Sequence, residues 1–179
     1  MAQQLMLMNP MRNIRIEKLT LNVGAGKDQS ILDKAERLIL NLTGIKPVKT
    51  KTQKRIPAWG LRPGLPIGVK LTLRDETAES LIPRLLAAKG NRLRPENLDE
   101  AGNVSFGIPE YIDIEGAKYD PAIGIIGLQV CITLERPGYR VKRRRVRAAK
   151  AGKRHRITPS EAKAFLQERF KTRFEEEQG

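Results

Sequence analysis

Ile14, Ile16, Leu19, Leu21 and Val23 alternate with polar residues, a period of two that predicts a half-buried strand with a bulge at Glu17-Lys18, where the alternation slips. Gly24-Ala25-Gly26 turns the chain. Ser30 can then cap a helix whose apolar positions Ile31, Ala35, Leu38, Ile39 and Leu42 follow helical spacing, and Gly44 with Pro47 ends it. Val48, Thr50 and Thr52 alternate with Lys49, Lys51 and Gln53, and Ile67, Val69, Leu71 and Leu73 with Gly68, Lys70 and Thr72. Two strands follow, each with an apolar or β-branched side on a core and a basic-polar side left free. Pro57, Gly60, Pro63, Gly64 and Pro66 make their connection a long, stiffened loop.

After Asp75, the positions Ala78, Leu81, Ile82, Leu85 and Leu86 predict a second helix, with Pro83 as a kink or an early stop. Residues 91–103 are polar and expected to be loop. Residues 104–114 and 123–134 read as further strands around a turn region at 116–121. Thr158-Pro159-Ser160-Glu161 is a helix start: Thr158 caps, proline holds the first helical position, and Glu161 is placed for a capping box. Ala162, Phe165, Leu166, Phe170 and Phe174 would bury the inner side of that helix, and the acidic end 175–177 would fray. Strands separated by helices, with a hairpin-like pair, predict a two-layer α+β domain whose helices cover one sheet face and leave the other free. The whole of 1–179 is expected to be one domain: a body at 12–135, a basic extension at 136–157 and a final helix at 158–174.

Charge changes this picture by saying what the free face is for. The 179 residues hold 34 Lys+Arg against 20 Asp+Glu, a formal charge of +14. Residues 37–74 contain nine cations and residues 136–160 eleven, with no acid in either window, so the rest of the chain has 14 cations against 20 acids. Lysine and arginine that only keep a protein soluble would be interspersed with acids. Two acid-free windows on a mildly acidic body instead predict a polyanion, and nucleic acid above an anionic membrane, because neither window has the amphipathic helical pattern of a membrane-surface segment. No apolar run approaches a membrane span, and the first 13 residues lack the pattern of a signal peptide, so a cytoplasmic location is expected. Cys131 is the only cysteine, which excludes an internal disulfide and a cysteine metal cluster; its apolar surroundings predict a buried, inert thiol.

Catalytic and cofactor motifs fail on inspection. Gly24-Ala25-Gly26-Lys27 follows a strand and precedes a helix, but a P-loop needs glycine in place of Leu21 and Ser or Thr in place of Asp28, and a dinucleotide loop needs glycine in place of Gln29. His155 is the only histidine and lies among Lys153, Arg154 and Arg156, where no second ligand supports a metal. An RNA contact or plain exposure is expected of it. Glu110, Asp113, Glu115 and Asp120 flank strands without a nucleophile, so neither an enzyme nor a cofactor or metal site is expected. Trp59, the only tryptophan, lies between prolines in the loop, which leaves stacking on a nucleotide and packing of the loop both open.

From about residue 12 to 174 the chain resembles a known family, the fifth protein of the large ribosomal subunit. The residues that carry this are IEKLTLNVGAG (16–26), LTGIKPVKTKTQKRI (42–56), GLRPGLPIGVKLTLR (60–74), GNVSFGIPEYIDIEGAKYDPAIGIIGLQV (102–130), and ERPGYRV followed by KRHRITPSEAKAFL. The last two motifs resemble the archaeal and eukaryotic branch. The resemblance implies an antiparallel sheet, no catalysis, and a structural role in the ribosome: binding 5S rRNA in the central protuberance beside large-subunit rRNA and other central-protuberance proteins. The 5S surface it implies is Asn22, Thr50, Lys51, Gln53, Lys54, Arg62, Gly64, Gly68, Lys70 and Thr72. The projecting loop Ile56, Pro57, Ala58, Trp59, Gly60 and Leu61 would approach transfer RNA in the peptidyl site, with Trp59 where the family is expected to have phenylalanine. A further region would meet a protein of the small-subunit head at an intersubunit bridge.

The expected mechanism is recognition of RNA shape and backbone by a preformed basic sheet face, with glycines admitting RNA to the main chain. The tail cations Arg140, Lys142, Arg143, Arg144, Arg145, Arg147, Lys153, Arg154 and Arg156, with His155, are expected to bind rRNA and to be poorly ordered without it. The rival readings are a general structured-RNA chaperone and a nucleotide-dependent RNA enzyme.

Overall fold

The computed structural model describes residues 9–175. The first alternating segment forms β1 (Arg15–Gly24), and its pairing slips between Ile16 and Lys18, at the expected bulge. Ala25 and Gly26 both donate their backbone N–H to Ile67 O, and Gly26 takes φ +61°, so the glycine turn is a tight strand-to-helix corner. The helix α1 (Gln29–Thr43) begins before Ser30, with Asp28 at the cap, and ends at Gly44 with φ 71°. Its buried face is Leu32, Ala35, Leu38 and Ile39. Leu32 takes the inward position expected of Ile31, which is exposed, and Leu42 is half-buried.

The basic pair forms β2 (Val48–Lys51) and β3 (Pro66–Leu73), followed by α2 (Asp75–Ala88). Pro83 lies inside α2 without stopping it, and Ala78, Leu81, Ile82, Leu85 and Leu86 are all buried. Burying four large aliphatic side chains, at about 1.5–3 kcal/mol each, outweighs the roughly 3 kcal/mol that an interior proline costs. The segment expected to be loop contains a short strand, β4 (Arg92–Leu93). The two later strands are shorter than their apolar runs: β5 (Val104–Ile108) and β6 (Leu128–Glu135). Between them Tyr111, Ile114 and Ile123 reach the core from irregular backbone, where Tyr111 Oη accepts the Asp120 N–H at 3.0 Å. Arg84 of α2 holds this excursion by donating from Nε to Glu115 O at 2.8 Å.

The five long strands form one antiparallel sheet in the order β2-β3-β1-β6-β5. Helices α1 and α2 pack on one of its faces. The extension opens with the single turn α3 (Arg140–Arg143), and α4 (Pro159–Phe170) starts on the expected capping box, in which Glu161 Oε2 accepts the Thr158 N–H at 3.0 Å. Ala162 and Leu166 join the core, with Phe165 and Phe170 packed against it. Phe174 lies beyond the helix, in β7 (Arg173–Phe174), which pairs in parallel with β4. Glu175 is also held, its N–H donating to Leu93 O at 3.0 Å; the remaining acidic residues lie outside the described ones.

Candidate nucleic-acid interface

Strand register writes the uncovered face of the sheet row by row. Thr20 faces Thr72 on one side and Cys131 on the other, and Cys131 faces Ser105. In the next row Asn22 lies between Lys70 and Gln129, which continue to Val48 and Gly107. The third row is Gly24, Gly68 and Thr50. Asn22 Nδ2 donates to Gln129 Oε1 at 2.9 Å, which fixes both amides and leaves their remaining donors and acceptor facing solvent. Cys131 is therefore half-buried on the polar face rather than buried in the core, because its place in the alternation of β6 is opposite to that of Val130 and Ile132.

This face is polar more than basic. Lys70 is the only cation in the three rows, and positive charge stands at the perimeter, with the exposed Lys51, Lys54, Arg55 and Arg62 at one end and the extension at the other. The orientation of β2 also reverses the expected one. Val48 is opposite Lys70 and Lys49 is opposite Val69, so Val48 and Thr50 lie on the open face while Lys49 turns to the helices. There Lys49 Nζ is 3.1 Å from Asp33 Oδ1 and 3.2 Å from Glu36 Oε2. The hydrogen bond from Lys49 holds the Asp33 carboxyl below its usual range, and the same bond, with Glu36, holds the Lys49 ammonium above its own. The pairing slips after Thr50 and sets Lys51 against Pro66, leaving Lys51, Gln53 and Lys54 exposed at the loop base.

Glycines divide into two kinds. A Cβ at Gly68 would stand 2.8 Å from Val23 O and 3.1 Å from Thr50 Oγ1, so this residue is glycine for strand contact rather than for RNA approach. Nothing lies within 4 Å of a Cβ built at Gly24, Gly107 or Gly64, and main chain is open there. A depression of about 530 Å³ beside Asn22 and Gln129 is lined by Gly24 and Gly107, with Lys89 from the end of α2.

In the loop, Ile56 and Leu61 form an isolated bridge around the turn Pro57–Trp59. Leu61 is buried and anchors the loop, whereas Pro57, Ala58 and Gly60 are exposed and Trp59 is 68% exposed. Packing of the loop by Trp59 is thus not what holds it. Gly64 takes φ +86° and donates its N–H to Thr52 O at 2.9 Å, closing the loop base beside Arg62.

The extension is not a free tail. Arg136 is 3% exposed and donates to Arg12 O at 3.1 Å, Arg156 O at 3.2 Å and Glu161 Oε1 at 2.7 Å. Burial acts to raise the Glu161 carboxyl, but the Thr158 N–H and the Arg136 guanidinium prevail and hold it below its usual range. Arg143 binds Glu17 at 2.7 Å and Glu135 at 2.6 Å, and Arg15 also reaches Glu135 at 2.6 Å. His155 is half-buried, its Nε2 2.9 Å from Pro137 O and its ring edge-on to Tyr139, so it braces the segment instead of standing free for RNA. Beyond Arg143 the segment is still held, with Arg144 Nε donating to Arg147 O at 2.8 Å and the Ala149 N–H to Val141 O at 3.1 Å, while Arg140, Lys142, Arg144, Arg145, Arg147, Lys153, Arg154 and Arg156 are exposed.

Sequence reasoning missed Thr20, Ser105, Lys18, Lys89 and Gln129 on or beside this face. Their signal was the polar half of each alternation, legible only once β6 is known to lie beside β1. Among the described residues no three His, Cys, Asp or Glu side chains gather as a metal site, and no helix is long and apolar enough to cross a membrane.

A family model described as the ribosomal L5P family C-terminus matches residues 66–169, and one described as Ribosomal protein L5 matches residues 9–62. The large ribosomal subunit protein uL5 of Nanoarchaeum equitans is 52% identical over 161 residues, covering 89% of this chain and 95% of its own. That of Sulfurisphaera tokodaii is 50% identical, covering 90% and 92%, and that of Nitrosopumilus maritimus 44%, covering 90% and 94%.

Proposed function

This chain belongs to the ribosomal protein L5 family, in its archaeal-type branch, and from that premise we propose that it binds 5S rRNA with the open face of its five-stranded sheet. It is a structural protein of the large ribosomal subunit, not an enzyme; its place is the ribosome of the cytoplasm and its partners are rRNA and other ribosomal components. The finer reading sets 5S rRNA against Asn22, Thr50, Lys70 and Thr72, with Lys51, Gln53, Lys54 and Arg62 at the border. By it, the protein anchors 5S rRNA in the central protuberance beside its neighbouring proteins. Its loop with Trp59 approaches peptidyl-site tRNA, the tail cations contact large-subunit rRNA, and a separate region meets the small-subunit head.

The observation that carries the reading is the rung Gly107–Gln129–Asn22–Lys70–Val48, a rigid row of amide donors and acceptors with one cation and open main chain. Such a row suits the 2′-hydroxyls and phosphates of folded RNA, which are recognised by position more than by sequence. The test is binding to 5S rRNA against size-matched structured RNAs, with an ATPase assay beside it. Selective 5S binding without turnover is expected; equal affinity for every structured RNA would replace this reading with the general RNA chaperone.

A further inference from the structure

The tail cations are of two kinds, and only one is available to a ligand. Arg136 and Arg143 are committed to Glu161, Glu17 and Glu135. Lys142, Lys150 and Arg156 make no ion pair among the described residues, yet all three line one depression of about 310 Å³ with Asn103, Thr133 and Tyr139. No acid lines it. Its floor is fixed: Tyr139 is 6% exposed, its hydroxyl donates to His155 O at 3.1 Å and accepts from Ile157 N–H at 3.2 Å, and Lys142 Nζ stands 4.4 Å above its ring. The ring restricts the Lys142 ammonium without neutralising it. Thr133, which lines the depression, pairs with Lys18 on β1, so the depression adjoins the open sheet face.

Three unpaired cations converging on a walled, acid-free hollow have a defined ligand chemistry. We infer that this hollow seats a phosphodiester of an rRNA strand, with Lys142, Lys150 and Arg156 on the phosphate oxygens and Asn103 and Thr133 on the adjoining sugar. The hollow admits a phosphate with its sugar but is too small for a duplex, so the strand enters singly as it leaves the sheet face. The inference rests on the proposed rRNA binding and adds to it a built subsite within a tail that otherwise offers only loose charge.

The test uses the full chain and deproteinised large-subunit rRNA, 5S rRNA included. One variant carries Lys142→Gln, Lys150→Gln and Arg156→Gln; a control with the same loss of charge carries Arg145→Gln, Lys153→Gln and Arg154→Gln. The hollow predicts that the first loses at least tenfold more affinity than the control and that its salt slope falls by about 0.7–0.9 for each phosphate no longer neutralised. Equal losses overturn the subsite while leaving rRNA binding intact, whereas no binding by the unaltered chain overturns the reading beneath it. Lys150→Gln alone, at an exposed position, repeats the comparison free of folding effects. Titration with inorganic phosphate should shift the amides of Asn103 and Ala151 first. Shifts there with equal losses by the two triple variants would mark a free-anion site and reject the RNA strand.

Discussion

The two acid-free windows look alike in sequence and differ in the fold. In residues 37–74 most cations stand on the paired strands β2 and β3 and the closed loop between them, with Arg37 on α1, and among the described residues only Lys46 and Lys49 form ion pairs, with Asp33 and Glu36 of α1. In residues 136–160 the first cation is the most buried charge in the described chain, and Arg143 joins two acids that lie 118 positions apart in the sequence, Glu17 and Glu135. A run of bases is therefore not a quantity of binding charge. Which ones can meet a phosphate is decided by acids brought from distant parts of the chain.

The sharpest way to break this contrast is to remove one cation of each kind from the same window. Arg136→Met should cost about 2–4 kcal/mol in a denaturant titration, because a buried guanidinium is removed, Glu161 loses its ionic partner, and the Arg12 and Arg156 carbonyls lose the donor they share. Arg145→Met should stay within about 0.5 kcal/mol. Next in size, Trp59→Ala should leave stability within about 0.5 kcal/mol while weakening peptidyl-site tRNA on reconstituted ribosomes by about 1–3 kcal/mol, the scale of base stacking on an aromatic. A drop in stability would instead return Trp59 to packing. In the first window, Lys51→Gln, Lys54→Gln, Arg62→Gln and Lys70→Gln should each lower the salt slope of 5S binding by about 0.7–0.9, and Lys49→Gln should leave it unchanged. The smallest effect is set by pH. Glu161 titrates below its usual value in the folded chain, so its contribution is complete above about 4.5, the ordinary value, and is lost as pH falls through the folded one. Melting between about pH 6 and pH 3 should show this loss, and Arg136→Met should diminish it.

Elements with a local period were legible: β1 with its bulge, the five buried positions of α2, the alternation of β3 and the capping box of α4. What failed was decided by partners. β2 has a period of two, but its orientation is set by Val48 meeting Lys70, and Val48 is 67% exposed. β-branched residues on the open face and a lysine on the helix side invert the usual hydrophobic logic, and only Asp33 and Glu36, from another element, make that arrangement favourable. The runs 104–114 and 123–134 were overread as strands because Tyr111, Ile114 and Ile123 are buried without strand geometry. Of the candidate site, Asn22, Lys70 and Thr72 could be read from alternation. Gln129, and the structural commitments of Arg143 and His155, could not, since each depends on a neighbour far along the chain.

The bond between Asn22 and Gln129 joins residues 107 positions apart, and β1 lies between strands completed at residues 73 and 135. During synthesis, β1 emerges early and waits for most of the chain before its second edge is paired. A nascent fragment that ends before β6 carries the first positive window, residues 37–74, but not the row that sets the amides in register. The open face proposed for RNA is thus complete only once β6 has emerged, and a shorter chain holds the charge of the first window without that surface.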